Sequence, residues 1–213
     1  MIWNKKYSDL SEVILCSFGL MVFAYFIHCE FPVRLISFAG LMLPAYFFSR
    51  YLKSLSEFKN IFVQPFELKS TLLYWIAGLL SGLMLAILYR WYLDISLFPE
   101  SLHLFVFVAA LIGILEELVF RGFIQEYVKS FNPLFSILFS TLSHTGYKCC
   151  LFLSPVAKGD IDIGFLTLWT IIAGLLFGTI KHFSKSILPS AIAHALFDIL
   201  VYAEFVSAPW WVW

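Results

Sequence analysis

Three charged side chains close the long apolar run Leu102–Phe120, in the string Glu116-Glu117-Leu118-Val119-Phe120-Arg121. An ionisable residue at the centre of a bilayer helix costs about 2.5–3.5 kcal/mol on insertion scales, so such residues persist where they have partners or a task. Successive helical residues are rotated by about 100°, so the two carboxylates cannot share one face. Glu117 and Arg121 stand four apart with the glutamate first, the order that favours an ion pair along a helix. Spacing alone suggests no obvious local partner for Glu116. Two more apolar stretches carry polar groups: His144 in Ser140-Thr141-Leu142-Ser143-His144, and His194 with Asp198 in Ala193-His194-Ala195-Leu196-Phe197-Asp198. The last two are four apart and share a helical face. Carboxylates and imidazoles in water-poor surroundings serve either general acid–base catalysis or a proton relay. A single histidine in an apolar helix is usually structural, but polar groups in three separate stretches point to a common site.

The elements that must hold these groups are apolar helices. Of 213 residues 61% are hydrophobic and 13% charged, with a mean hydropathy of +0.88, well above that of a water-soluble domain. Hydropathy divides the chain into seven stretches: Ser11–Ile27, Val33–Phe48, Thr71–Leu93, Leu102–Phe120, Pro133–Leu153, Ile163–Ile180 and Leu188–Val206. Most reach the roughly 17–25 residues of a bilayer span, the second only marginally. The expectation is an all-α polytopic membrane bundle of about seven spans, a single domain over residues 1–213. Within it, residues 1–100 hold the N-terminal spans and a polar connection from Ser49 to Ser70 able to contain an interfacial helix, and residues 101–206 form a four-helix core around the polar groups. The polar Met1–Leu10 and the lack of a small-x-small site after the first apolar run argue against a cleavable signal peptide.

With the N-terminus inside, nine of the fourteen basic residues fall on the inner side (Lys5, Lys6, Arg50, Lys53, Lys59, Lys69, Lys129, Lys181 and Lys185). Arg34, Arg90, Lys148 and Lys158 fall outside, with Arg121 set aside beside Glu117. That excess favours a cytoplasmic N-terminus and an external C-terminus in the plasma membrane. The tail Pro209-Trp210-Trp211-Val212-Trp213 then reads as an anchor at the outer interface, where indole rings are favoured. A formal net charge of zero gives no reason to expect a nucleic-acid partner. Of the four cysteines, Cys29 and the adjacent Cys149-Cys150 fall toward the outer side, where an oxidising environment would permit a bridge; free thiols are the expectation. Gly174-Leu175-Leu176-Phe177-Gly178 permits close approach of a neighbouring helix, and Gly122 and Pro189 read as helix boundaries.

Taken in order, Glu116-Glu117-x-x-x-Arg121, His144, Ala173-Gly174-x-x-x-Gly178 and Ile187-Leu188-Pro189-Ser190-Ala191-Ile192-Ala193-His194-x-x-x-Asp198 resemble the CAAX-processing and bacteriocin-processing intramembrane proteases, which include the type II prenyl-protein endopeptidases and the bacterial Abi proteins. The resemblance covers roughly Leu102 to Ile199. The chain departs from the family pattern at Ser140, where a Phe is usual, and at Asp198, where an Asn is frequent. The resemblance implies an intramembrane endopeptidase of glutamate type acting on a membrane-anchored protein or peptide. Glu116 would be the general base, and Glu117, paired with Arg121, would hold the helix end. His144 would position the attacking water and His194 would donate to the oxyanion. Asp198 would orient the His194 ring or donate as a protonated acid. No cofactor is expected. The alternative is zinc, from an earlier description of this family as metalloproteases, with Glu116, His144 and His194 as ligands. Two other readings use the same residues: a component of a proton-coupled transporter, and a non-catalytic family member. An inverted repeat, a mark of many transporters, is missing from the sequence.

Overall fold

The computed structural model describes residues 2–52, 68–158 and 162–212, and every regular element among them is helical. In chain order these are α1 (Ile2–Phe26), α2 (Leu35–Tyr51), α3 (Leu68–Tyr92), α4 (Phe105–Glu117), a π-helical segment (Leu118–Ile124), a single turn α5 (Gln125–Tyr127), α6 (Pro133–Phe152), α7 (Ile163–Ser184) and α8 (Leu188–Tyr202). All seven apolar stretches are therefore helical. Three helical segments, Tyr7–Phe26, Thr71–Tyr92 and Ile163–Ser184, are both long and apolar enough to cross a membrane, and Leu35–Arg50 and Leu188–Tyr202 are shorter apolar helices. Among the described residues, the remaining stretches differ from these three in length or polarity. Helix α4 changes to π geometry after 13 residues, α6 carries Ser136, Ser140, Thr141, Ser143, His144 and Thr145, and α8 has only 15 residues. The interfacial helix expected between Ser49 and Ser70 falls mainly on residues outside those described.

Burial runs opposite to that of a water-soluble protein. Glu117, Arg121, Arg90, Ser140, His144 and His194 are buried, while Leu73, Phe107 and Leu142 are 60–70% exposed. Polar groups inside and large apolar groups outside suit a lipid surround, in which outward-facing leucines lose nothing. The chain is an integral membrane protein.

The described residues gather into two compact units, each discontinuous in sequence. The first comprises Met1–Phe58, Phe123–Leu175 and Trp210–Trp213. Here α1 and α2 meet backbone to backbone, since a β-carbon on Gly19 would lie 2.5 Å from the Gly40 carbonyl oxygen. Helix α1 also meets α6, where Ser17 Oγ and Ser143 Oγ are 2.9 Å apart. The start of α6 is set by Asn132, whose side chain accepts from the Phe135 N–H at 2.7 Å, with Pro133 in the first turn, a favoured N-terminal pairing. Gly174 of the expected close-approach motif does lie against α6, because a β-carbon there would be 2.7 Å from Thr141 Cγ2. At the other end of α1, Tyr127 donates to Glu12, which also lies 3.7 Å from Arg50. The tryptophan tail is packed: the Trp210 ring is 5.7 Å from Phe152 and 5.6 Å from His28. Cys16, Cys29, Cys149 and Cys150 are all free thiols.

The second unit comprises Lys59–Gly122 and Leu176–Pro209. Helix α8 packs against both α3 and α4. Contact with α3 is close because Gly78 and Gly82 lack side chains: a β-carbon on either would stand 2.3 Å from the carbonyl oxygen of Pro189 or Ala193. This small-residue pair lies in a region the sequence reading left without a task. Pro189 does mark a boundary, in the first turn of α8. Gly122 does not. It lies inside the π segment, and the helix continues through Tyr127. In lipid an interrupted helix leaves backbone groups unbonded at several kcal/mol each, so a wide turn is cheaper than a break.

Candidate active site

Helix α4 delivers Glu116 and Glu117 at its last two positions, and the π segment that follows delivers Arg121. A π turn carries one residue more than an α turn and recurs at functional sites, because it re-aims side chains without breaking the helix. The expected ion pair is present: Arg121 Nη1 lies 3.2 Å from Glu117 Oε1, with neither side chain exposed. Two fully buried opposite charges at this distance are mutually necessary, since removal of one partner of such a pair costs about 3–5 kcal/mol.

Helix α8 brings the second half of the cluster. His194 Nδ1 is 3.1 Å from Glu117 Oε1, the same oxygen that faces Arg121. On the other side of the ring, Nε2 lies 3.7 Å from Glu116 Oε2 and 3.8 Å from Asp198 Oδ2. The imidazole thus stands among three carboxylates, with its shortest contact to Glu117. Sequence reasoning paired Glu117 with Arg121 alone and gave the orienting of the ring to Asp198. The structure adds Glu117 to that task, through an oxygen that serves both cations. A carboxylate accepts and does not donate, so Nδ1 carries the proton in this contact. For Nε2 to donate as well, the ring must be doubly protonated; with one proton, Nε2 is an acceptor.

Two further residues complete the surroundings and were missed in the sequence. Gly113 sits one turn before Glu117, and a β-carbon there would stand 2.4 Å from Asp198 Oδ2 and 3.0 Å from His194 Cδ2. The missing side chain is what admits the polar groups of α8 to the face of α4. Phe177 of α7, 1% exposed, places its ring 5.3 Å from the His194 ring, and the Arg121 guanidinium carbon lies 6.0 Å from the same phenyl centre. That distance is within reach of a cation–π contact. A glycine four residues before a buried acid, and an aromatic residue inside the Gly174–Gly178 step, were the available signals.

The structure therefore brings Glu116, Glu117, Arg121, His194 and Asp198 together within one unit. His144 belongs to the first unit, 3% exposed on the polar face of α6 beside Ser143, which meets Ser17. Ser140, the departure from the family pattern, is also buried on α6. Among the described residues, no group of three or more His, Cys, Asp or Glu is arranged as a candidate metal site.

Buried carboxylates around an imidazole can take up, hold and return a proton without bulk water. Residues 98–200, which contain every one of these groups, match the family model described as type II CAAX prenyl endopeptidase Rce1-like. Comparison with curated proteins and with solved structures finds no match.

Proposed function

The chain belongs, through residues 98–200, to the Rce1-like family of type II CAAX prenyl endopeptidases, and from that premise we propose a glutamate-type intramembrane endopeptidase that cleaves a peptide bond in a membrane-anchored protein or peptide. The observation that carries this reading is the His194 ring, tied at Nδ1 to the Glu117–Arg121 pair and turned at Nε2 toward Glu116 and Asp198.

Amide hydrolysis needs an activated water, a stabilised oxyanion and a proton for the leaving amine. Glu116 takes a proton from water as the water oxygen bonds to the scissile carbonyl carbon. The carbonyl π electrons move to oxygen, and Nε2–H of doubly protonated His194 donates to the resulting oxyanion. Collapse of the intermediate breaks the C–N bond, and Glu116 returns its proton to the amine. Products are one new carboxylate terminus and one new amine. Glu117 is a positioning group in this scheme, holding the ring and neutralising Arg121. Asp198, 3.8 Å from Nε2, is a second positioning group that orients the ring. These steps need no metal.

Substrates of three kinds present such a bond at a membrane: a prenylated CAAX-type C-terminus, a bacteriocin-related peptide, and a C-terminal sorting segment. The excess of Lys and Arg on one side supports a cytoplasmic N-terminus and an external C-terminus. The test is a trap. Glu116→Gln keeps the shape and removes the base, so it should retain bound substrate and lose roughly 10²–10⁴ in rate. Mass spectrometry of co-purified peptides then names the substrate, and wild-type turnover by Glu116→Gln removes that residue from the mechanism.

A further inference from the structure

Arg90, in the last turn of α3, reads from the sequence as one of the basic residues at the outer surface. In the structure its side chain is completely buried. The guanidinium donates from Nε to the Ser96 carbonyl at 2.6 Å, from Nη1 to the Leu200 carbonyl at 2.9 Å, and from Nη2 to Ser96 Oγ at 3.1 Å and to Glu204 at 3.2 Å. Glu204 in turn accepts from the Glu100 N–H at 2.9 Å, and the His103 N–H donates to the Ala203 carbonyl at 2.8 Å. All of these groups lie in the second unit.

The need for this cluster follows from the length of α8. Its 15 residues span about 22 Å, less than the roughly 30 Å of a bilayer hydrocarbon core. Like those of any helix, its last carbonyls have no helical partner. An unmet backbone carbonyl in hydrocarbon costs several kcal/mol. The planar arginine fork meets one of these carbonyls and three neighbouring acceptors together, and positive charge at a helix C-terminus is favoured by the helix dipole. Lysine has one nitrogen and cannot reach four acceptors spread around a fork.

Leu200 is two residues beyond Asp198 and six beyond His194. At the N-terminal half of the same helix, Gly78 and Gly82 of α3 bear on the Pro189 and Ala193 carbonyls. Helix α8 is thus held to α3 at both ends, with the two site residues between the holds. We infer that Arg90, anchored by Glu204 and Ser96, is a positioning residue that sets the height of α8, and so the placement of His194 against Glu117 and Glu116. Its effect on turnover rests on the proposed catalytic reading; its effect on the His194 ring does not.

The experiment uses the full chain in detergent or nanodiscs, with ¹⁵N-labelled histidine. His194→Asn identifies the His194 signals among those of the five histidines. Arg90→Lys keeps the charge and loses the fork. In the folded protein it should move the His194 Nδ1 and Nε2 resonances, and on a trapped substrate lower kcat by roughly 10²-fold at unchanged KM, the scale of a misplacement near 1 Å. Should Arg90→Lys give no folded protein, Glu204→Gln takes its place: that side chain is 37% exposed, and the amide keeps its size while removing the charge that faces Arg90. Unaltered His194 resonances in the folded variant, with only the melting temperature lowered, would overturn the inference. A wild-type protein that cleaves no membrane peptide would instead overturn the catalytic reading, and the resonance measurement would still decide the role of Arg90.

Discussion

Glu117 and His194, 77 positions apart in the chain, meet at 3.1 Å between a carboxylate oxygen and Nδ1, both buried, and so join α4 to α8. Because that oxygen also faces Arg121, a change at Glu117 acts on two cations. Glu117→Gln is expected to fold with a lowered melting temperature and to lose turnover, because the amide offers a weaker acceptor to both. Glu117→Ala should cost about 3–5 kcal/mol by leaving a buried arginine without its counter-charge. Thermal melts in detergent with turnover measured alongside check both. Wild-type turnover in Glu117→Gln would show that the ring needs no charged partner at Nδ1.

Gly113→Ala reverses an ordinary rule. Alanine normally favours a helix by about 1 kcal/mol over glycine. Here the added methyl would stand 2.4 Å from Asp198 Oδ2, so α8 must shift or Asp198 must turn away. The expected result is lower turnover with no gain in melting temperature, and Gly113→Ser should behave alike. A stabilised and fully active Gly113→Ala would mean that α8 approaches α4 less closely than the geometry requires.

Chelation separates the two chemistries proposed for water activation. If Glu116 activates water directly, prolonged dialysis against a strong chelator leaves turnover unchanged, and elemental analysis finds no stoichiometric metal. Loss of activity on chelation, restored by zinc, would instead make the reaction metal-dependent.

The packed tail carries a pH dependence of its own. Burial holds the His28 imidazole below its ordinary range, and Arg34 lowers it further, against a hydrogen bond with the Trp211 backbone. The folded state therefore binds fewer protons here than the unfolded chain. The contribution of His28 is complete above the free imidazole value near 6.5 and is lost as pH falls below it through the depressed folded value. Acidification below the ordinary imidazole range should loosen Trp210 from His28 and Phe152, read as a change in tryptophan emission. His28→Gln, which cannot be charged, should remove that transition. A transition of equal size in His28→Gln would place it elsewhere.

The helices, the Glu117–Arg121 pair and the shared face of His194 and Asp198 were legible because each depends on neighbours in sequence. Hydropathy marks an apolar helix wherever it packs, a spacing of four aligns two side chains in any helix, and Pro133 and Pro189 start helices by their own backbone geometry. The order of the polar motifs was enough to indicate the family. Other features depended on which surfaces met. Gly122 looked like a helix stop, yet the chain passes it in a π turn that keeps its backbone bonded. Arg90 looked like a surface charge, yet a short α8 left acceptors that drew it inside. The tasks of Gly78, Gly82 and Gly113 were invisible, because the use of a missing side chain lies in the helix that comes to occupy its space. Glu117 shows the division within one residue: its bond to Arg121 is local and could be read from spacing, whereas its bond to His194 exists only because α8 packs on α4.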